Sequence, residues 1–155
     1  MPSGTLQYNT LDYDTLKIVV FKRDTIAIEE FPQNSDPLPL TQEDLEKVDS
    51  LLISAVEEYN EFKGKPFLKS FMESGYQPLD SGDFIIYLRN YRCQYLPYKD
   101  VNGQRIVYVC CFRNQYANWK REAYRGRLHG GTIYFYIKMN LSEDNSDGVY
   151  TTGYG

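Results

Sequence analysis

Three cysteines and a single histidine, Cys93, Cys110, Cys111 and His129, are the side chains best suited to metal binding or nucleophilic attack. Neither chemistry finds its spacing. Cys110 and Cys111 are neighbours, and on a strand adjacent side chains leave opposite faces, so both cannot reach one ion. No C-x-x-C or H-x-x-x-H occurs, the spacings that present paired zinc ligands. A thiol inside the apolar run Val107 to Phe112 reads as a core residue rather than a nucleophile. His129-Gly130-Gly131 precedes a strand-like run, whereas phosphate-cradling glycine loops lead from a strand into a helix. It reads as a tight turn, with a pocket-lining His129 as the sharper alternative. No G-x-S-x-G, Walker A or G-x-G-x-x-G sequence is present, and the acids offer no pair that can be argued into a glycosidase separation. Nothing calls for a cofactor or a metal.

The remaining chemical signal is a mixture of cations and rings. YLRNYRCQYLPYKD and FRNQYANWKREAYRGR interleave Arg and Lys with Tyr and Trp, the ingredients of phosphate neutralisation and base or sugar stacking. The same alternation arises when a strand has one wet face. Candidate surface residues are Arg92, Arg113, Trp119 and Lys120, joined by Tyr134, Tyr136 and Lys138 from the alternating run after the Gly-Gly pair and by His129. Of fifteen tyrosines, twelve lie between Tyr76 and Tyr154. Such rings favour pleated, half-buried surfaces and, where exposed, recognition faces.

The elements that must hold these residues follow from periodicity. Leu16 to Phe21 and Thr25 to Phe31 read as a small hairpin, and three prolines between Pro32 and Pro39 end it. Thr41 is a good N-cap, and Leu45, Val48, Leu52, Ala55, Tyr59 and Phe62 recur at helical spacing. A helix from about Gln42 to Phe62 is predicted, acidic on its outer face and stopped by Gly64 and Pro66. Phe67 to Gly82 reads as looser chain with room for one helical turn. Strands are expected at Phe84–Leu88, Tyr91–Tyr98, Arg105–Phe112, Trp119–Arg125 and Thr132–Leu141, with a closing strand near Val149–Thr152.

Asn102-Gly103 is the clearest turn, both residues tolerating the positive φ of a two-residue type I′ loop. That turn predicts a register in which Asp100 faces Arg105, Cys93 faces Phe112 and Arg92 faces Arg113. Two facing arginines repel, so an acid of the chain or a bound anion must compensate them. The same register sets Cys93 diagonal to Cys110 and leaves no disulfide.

Taken whole, 155 residues with 42% hydrophobic and 25% charged residues suit one α+β domain over 1–155, with 1–15 irregular. The net charge of −4 hides a split. Asp24 to Asp83 carries fourteen acids against four lysines, and Arg89 to Arg127 nine bases against two acids. A surface dipole, an acidic helix packed near a basic sheet, or an anionic partner would each produce it. No basic, then apolar, leader opens the chain and no apolar run spans a bilayer. With three cysteines, a cytoplasmic protein without membrane association is the expectation.

The run YRCQYLPYKDVNGQRIVYVCCF, the pair Trp119-Lys120 and HGGTIYFYIKMNL, after a helix ending Glu57-Glu58-Tyr59-Asn60, resemble a family of small uncharacterised bacterial proteins. The resemblance covers roughly residues 40 to 141, and with no assigned activity it implies no site. One long amphipathic helix packed on a mainly antiparallel sheet also looks like cystatin-like or nuclear-transport-factor-like architectures, although the inhibitory Gln-x-Val-x-Gly hairpin of cystatins is absent. Two functions stay open. One is a non-enzymatic binding or protein-interaction module using the Tyr/Arg-rich sheet face, with a protein partner, a second copy or an anionic ligand. The other is a small enzyme with a pocket between helix and sheet.

Overall fold

The computed structural model describes residues 18–22, 31–76, 81–113, 118–124 and 131–151. Strands β1 (Ile18–Val20) and β2 (Asp36–Pro37) come first, then helix α1 (Gln42–Tyr59) and helix α2 (Lys65–Glu73). The sheet is completed by β3 (Arg92–Lys99), β4 (Arg105–Phe112), β5 (Tyr134–Asn140) and β6 (Asn145–Ser146). Its order is β1-β3-β4-β5-β6, with β2 also on β3. Every pairing is antiparallel except β1 with β3. The fold is therefore α+β, a long helical segment on a mainly antiparallel sheet.

α1 starts where its cap dictates. The Thr41 hydroxyl accepts from the Asp44 N–H at 3.1 Å, and the Asp44 carboxylate accepts from the Thr41 N–H at 3.0 Å, satisfying two amides that a helix start leaves open. Val48, Leu52, Ala55, Val56 and Tyr59 then meet the inner sheet face, formed by Cys93, Tyr95, Val107, Val109, Cys111, Phe135, Ile137 and Met139. Removing a side chain the size of Leu52 from water contributes about 1.5–3 kcal/mol.

Gly64 and Pro66 do not stop the helix. Asn60–Gly64 widens into one π-helical turn and the chain continues as α2. The turn lets buried Asn60 reach sideways, its amide nitrogen donating to Ile86 O at 3.0 Å and its oxygen accepting from Ile86 N–H at 2.8 Å. Gly64 is required by close approach, since a Cβ there would lie 2.7 Å from Phe84 O. Pro66 falls in the first turn of α2, where no intrahelical N–H is needed. Phe62 is thereby carried out of the apolar stripe and is 73% exposed.

Phe84–Leu88 is not a strand. The Asn60 amide and the Ser81 carbonyl take its backbone groups, so Phe84, Ile85, Ile86 and Leu88 are buried without a ladder. Trp119 to Tyr124 is likewise a turn, and Gly131–Ile133 forms a short 3-10 turn before β5. The closing strand reduces to β6 and a single bridge between Tyr136 and Tyr150. Of the expected N-terminal hairpin, Ile18–Val20 runs parallel to β3, and residues 23–30 of its second arm lie outside the described residues.

The β3–β4 register differs from expectation by one residue. Lys99 pairs with Arg105, Arg92 with Phe112 and Cys93 with Cys111. The cause is Asp100, whose carboxylate accepts from the N–H groups of Asn102 and Gln104, both at 2.9 Å. The Gly103 N–H bonds Asp100 O, the Asp100 N–H bonds Gln104 O, and Gly103 alone in the loop takes positive φ. Val101-Asn102-Gly103 is thus a three-residue loop with glycine at its left-handed position. The slip exchanges every cross-strand partner.

On its other edge β3 is covered piecewise, β1 pairing 93–95 and β2 pairing 98–99. Pro97 lies between them, opposite Val107.

Candidate functional site

The outer sheet face carries the even-numbered residues of β3, β4 and β5, and Gln94 organises much of its cover. Fully buried, its amide donates to Trp119 O and Glu122 O and accepts from Tyr124 N–H, each at 2.7 Å. The segment Asn118–Tyr124 is fastened over the sheet by this one side chain. Tyr124 stacks on Phe112 at 4.5 Å, and Trp119 meets Phe112 edge-on at 6.4 Å. Arg92 and Lys120 lie over the indole, 5.9 and 5.5 Å from its centre. Within the expected basic-aromatic surface Trp119 is 9% exposed with cations over its π face, whereas Lys120 is exposed and Arg92 half-buried. Tyr134 is buried as well.

Beyond this cover the face opens. Tyr108 and Tyr136 stack with centroids 5.5 Å apart, Tyr134 meets Tyr136 edge-on, and the Tyr136–Tyr150 bridge adds a third ring to the rim. Tyr108 is 36% exposed, Tyr150 is 65% exposed, Tyr136 is half-buried and Lys138 is exposed. Burial, followed by the neighbouring Cys110, Tyr98 and Tyr150, raises the Tyr108 phenol above its ordinary pKa. It remains a protonated donor at neutral pH.

Arg113 belongs to neither surface. It follows β4 on the inner side, so the arginine pair does not exist: Arg92 points to Trp119 and Arg113 to the opposite face. Arg113 Nη2 lies 3.7 Å from Asp83 Oδ1 and 3.4 Å from both Gly82 O and Thr132 Oγ1. Asp83 comes from the acidic part of the sequence and supplies the compensating charge. The Arg113 guanidinium borders a cleft of about 240 Å³ lined also by Tyr87, Asn90 and Tyr91, and its Nε is buried with no hydrogen-bond partner. The Tyr91 hydroxyl donates to Thr132 O, and burial raises its pKa.

Of the residues singled out from sequence, Tyr136 and Lys138 share the open rim, Trp119 and Tyr134 are buried, Arg92 and the exposed Lys120 lie against Trp119, and Arg113 stands apart. His129 lies outside the described residues. Sequence reasoning missed Tyr108, for which the signal was the even-residue alternation across β4 and β5, and Tyr150, which reaches the rim through its bridge to Tyr136. It missed Gln94 because an amide inside YRCQYLPY looks like a wet-face residue.

Comparison of this chain with protein-family models, with curated proteins and with solved structures finds no match. The fold assignment rests on the geometry above.

Proposed function

We propose that this protein is a non-catalytic recognition module that docks a protein partner on the tyrosine rim formed by Tyr108, Tyr136 and Tyr150, with Lys138 at its edge. The observation that supports this reading is the stacked, accessible Tyr108–Tyr136 pair on a sheet face whose other rings, Tyr98, Phe112 and Tyr134, are buried. Rigid tyrosines give contact area at low entropic cost and keep a hydroxyl for the partner. The test is a photo-crosslinking amino acid placed at Tyr108 or Tyr136 in cells, with Phe62 and Met72 on the helical side as comparison sites. Adducts from the rim positions alone are expected. Adducts only from the helical positions would overturn the reading, and an adduct with a second copy would identify the partner as the chain itself.

The unpartnered Arg113 Nε supports a second reading, a small carboxylate or phosphate ligand in the Tyr87–Asn90–Tyr91 cleft. Millimolar phosphate should then raise the melting temperature of the wild type and lose that effect in Arg113→Ala. Equal responses of the two proteins would remove it.

A further inference from the structure

We propose that Cys93 and Cys111 are a dithiol site that closes to a cross-strand disulfide when the chain folds in contact with a small-molecule disulfide oxidant. The register places them directly opposite each other on β3 and β4. The hydrogen bond from the Asp100 N–H to Gln104 O marks 100/104 as a hydrogen-bonded pair, and the pattern alternates along an antiparallel ladder. Counting back, 99/105, 97/107, 95/109 and 93/111 are non-hydrogen-bonded pairs. Pro97 occupies one of them, consistent with a residue that has no N–H to give β4. At such positions the Cα atoms approach to about 4.5 Å and the side chains are closest, within the Cα range of about 4.4–6.8 Å that a disulfide spans.

Side-chain placement agrees. The two sulfurs are 2.6 Å apart, and both residues are fully buried beneath α1 as free thiols. Cys110 points to the outer face, near Tyr136, and is excluded from the pair. The buried Tyr95 hydroxyl, a neighbour of both cysteines, has no hydrogen-bond partner.

Closure balances as thiol–disulfide exchange. One cysteine thiolate attacks a sulfur of the oxidant R–S–S–R, forming a mixed disulfide and expelling R–S⁻. The second thiolate attacks the cysteine sulfur of that mixed disulfide and expels the other R–S⁻. The cysteines lose two electrons, the oxidant gains them, and the two thiol protons end on two R–SH. Burial, then the adjacent Cys93, holds the Cys111 thiol far above its ordinary pKa in the folded protein, so exchange runs while the hairpin is open, and the folded core then shields the bond from reductants.

Reduced, denatured protein is refolded in glutathione buffers of graded oxidised-to-reduced ratio, trapped with iodoacetamide in denaturant and mapped by mass spectrometry. The expected result is a Cys93–Cys111 linked peptide lacking two hydrogens, alkylation at Cys110 alone, and a melting temperature several degrees above that of the reduced form. Cys110→Ser keeps the linked peptide. Alkylation of all three cysteines at every ratio, or a bond that includes Cys110, overturns the proposal, and the wild-type mapping decides it even if Cys111→Ser fails to fold.

Discussion

Asp44 is the residue through which pH reaches the fold. Buried at the start of α1, it caps Thr41 and forms an ion pair with Arg105 on β4. Burial alone would raise its pKa, but the Thr41 amide and the Arg105 guanidinium outweigh that and hold it below the ordinary carboxylate value. A depressed folded pKa contributes stability that is present above the unfolded value, about 3.9, and is lost as pH falls through the folded one. Asp44→Asn should therefore melt well below wild type at pH 7, and the gap between the two should narrow in urea titrations below about pH 4. A constant gap down to pH 2 would assign the loss to packing alone. Gln94→Leu removes the hydrogen bonds that Trp119 O, Glu122 O and the Tyr124 N–H make to the Gln94 amide, at about 1–3 kcal/mol for each group that stays buried. The chain has one tryptophan, so its emission reports release of that cover. A red shift in Gln94→Leu at temperatures where circular dichroism is still native is the expected outcome, and an unchanged spectrum would show that other contacts hold Asn118–Tyr124.

At the scale of elements, α1 was legible because a cap, an apolar stripe and an acidic face agree, and β4 because seven of its eight residues are apolar or aromatic. Leu52→Asp, placed mid-stripe at zero exposure, should cost more than about 3 kcal/mol through a buried unpaired carboxylate. Glu58→Ala on the exposed face should change stability by less than about 0.5 kcal/mol in the same denaturant titration. Similar losses for both would show that α1 is rotated. What was not legible depends on side chains acting as backbone. Asn60 supplies the hydrogen bonds a neighbouring strand would give to Ile86, and the Asp100 carboxylate converts a two-residue turn into a three-residue loop. Neither effect leaves a periodic trace. The tyrosine rim was half visible, Tyr136 from alternation along β5 and Tyr108 only once β4 is set beside it.

Across the whole molecule two of the four ion pairs among the described residues join the two charged stretches. Asp44 meets Arg105 and Asp83 meets Arg113, each an acid from the negative stretch against a cation from the positive one. The first pair joins α1 to the sheet and the second joins the Ser81–Asp83 turn to the end of β4, and among the described residues no helix is long and apolar enough to cross a membrane. The piecewise edge of β3 bears on a different property of the molecule. Because 97/107 is a non-hydrogen-bonded pair toward β4, the backbone groups of residue 97 face outward, and proline offers no donor there. Pro97 is itself buried between β1 and β2, so this stretch of edge offers no N–H and little access for strand addition. A tyrosine-rich, β-branched hairpin of this kind would otherwise be a seed for fibrils. Pro97 keeps it a partner for its own sheet and a poor one for its neighbours in a concentrated solution.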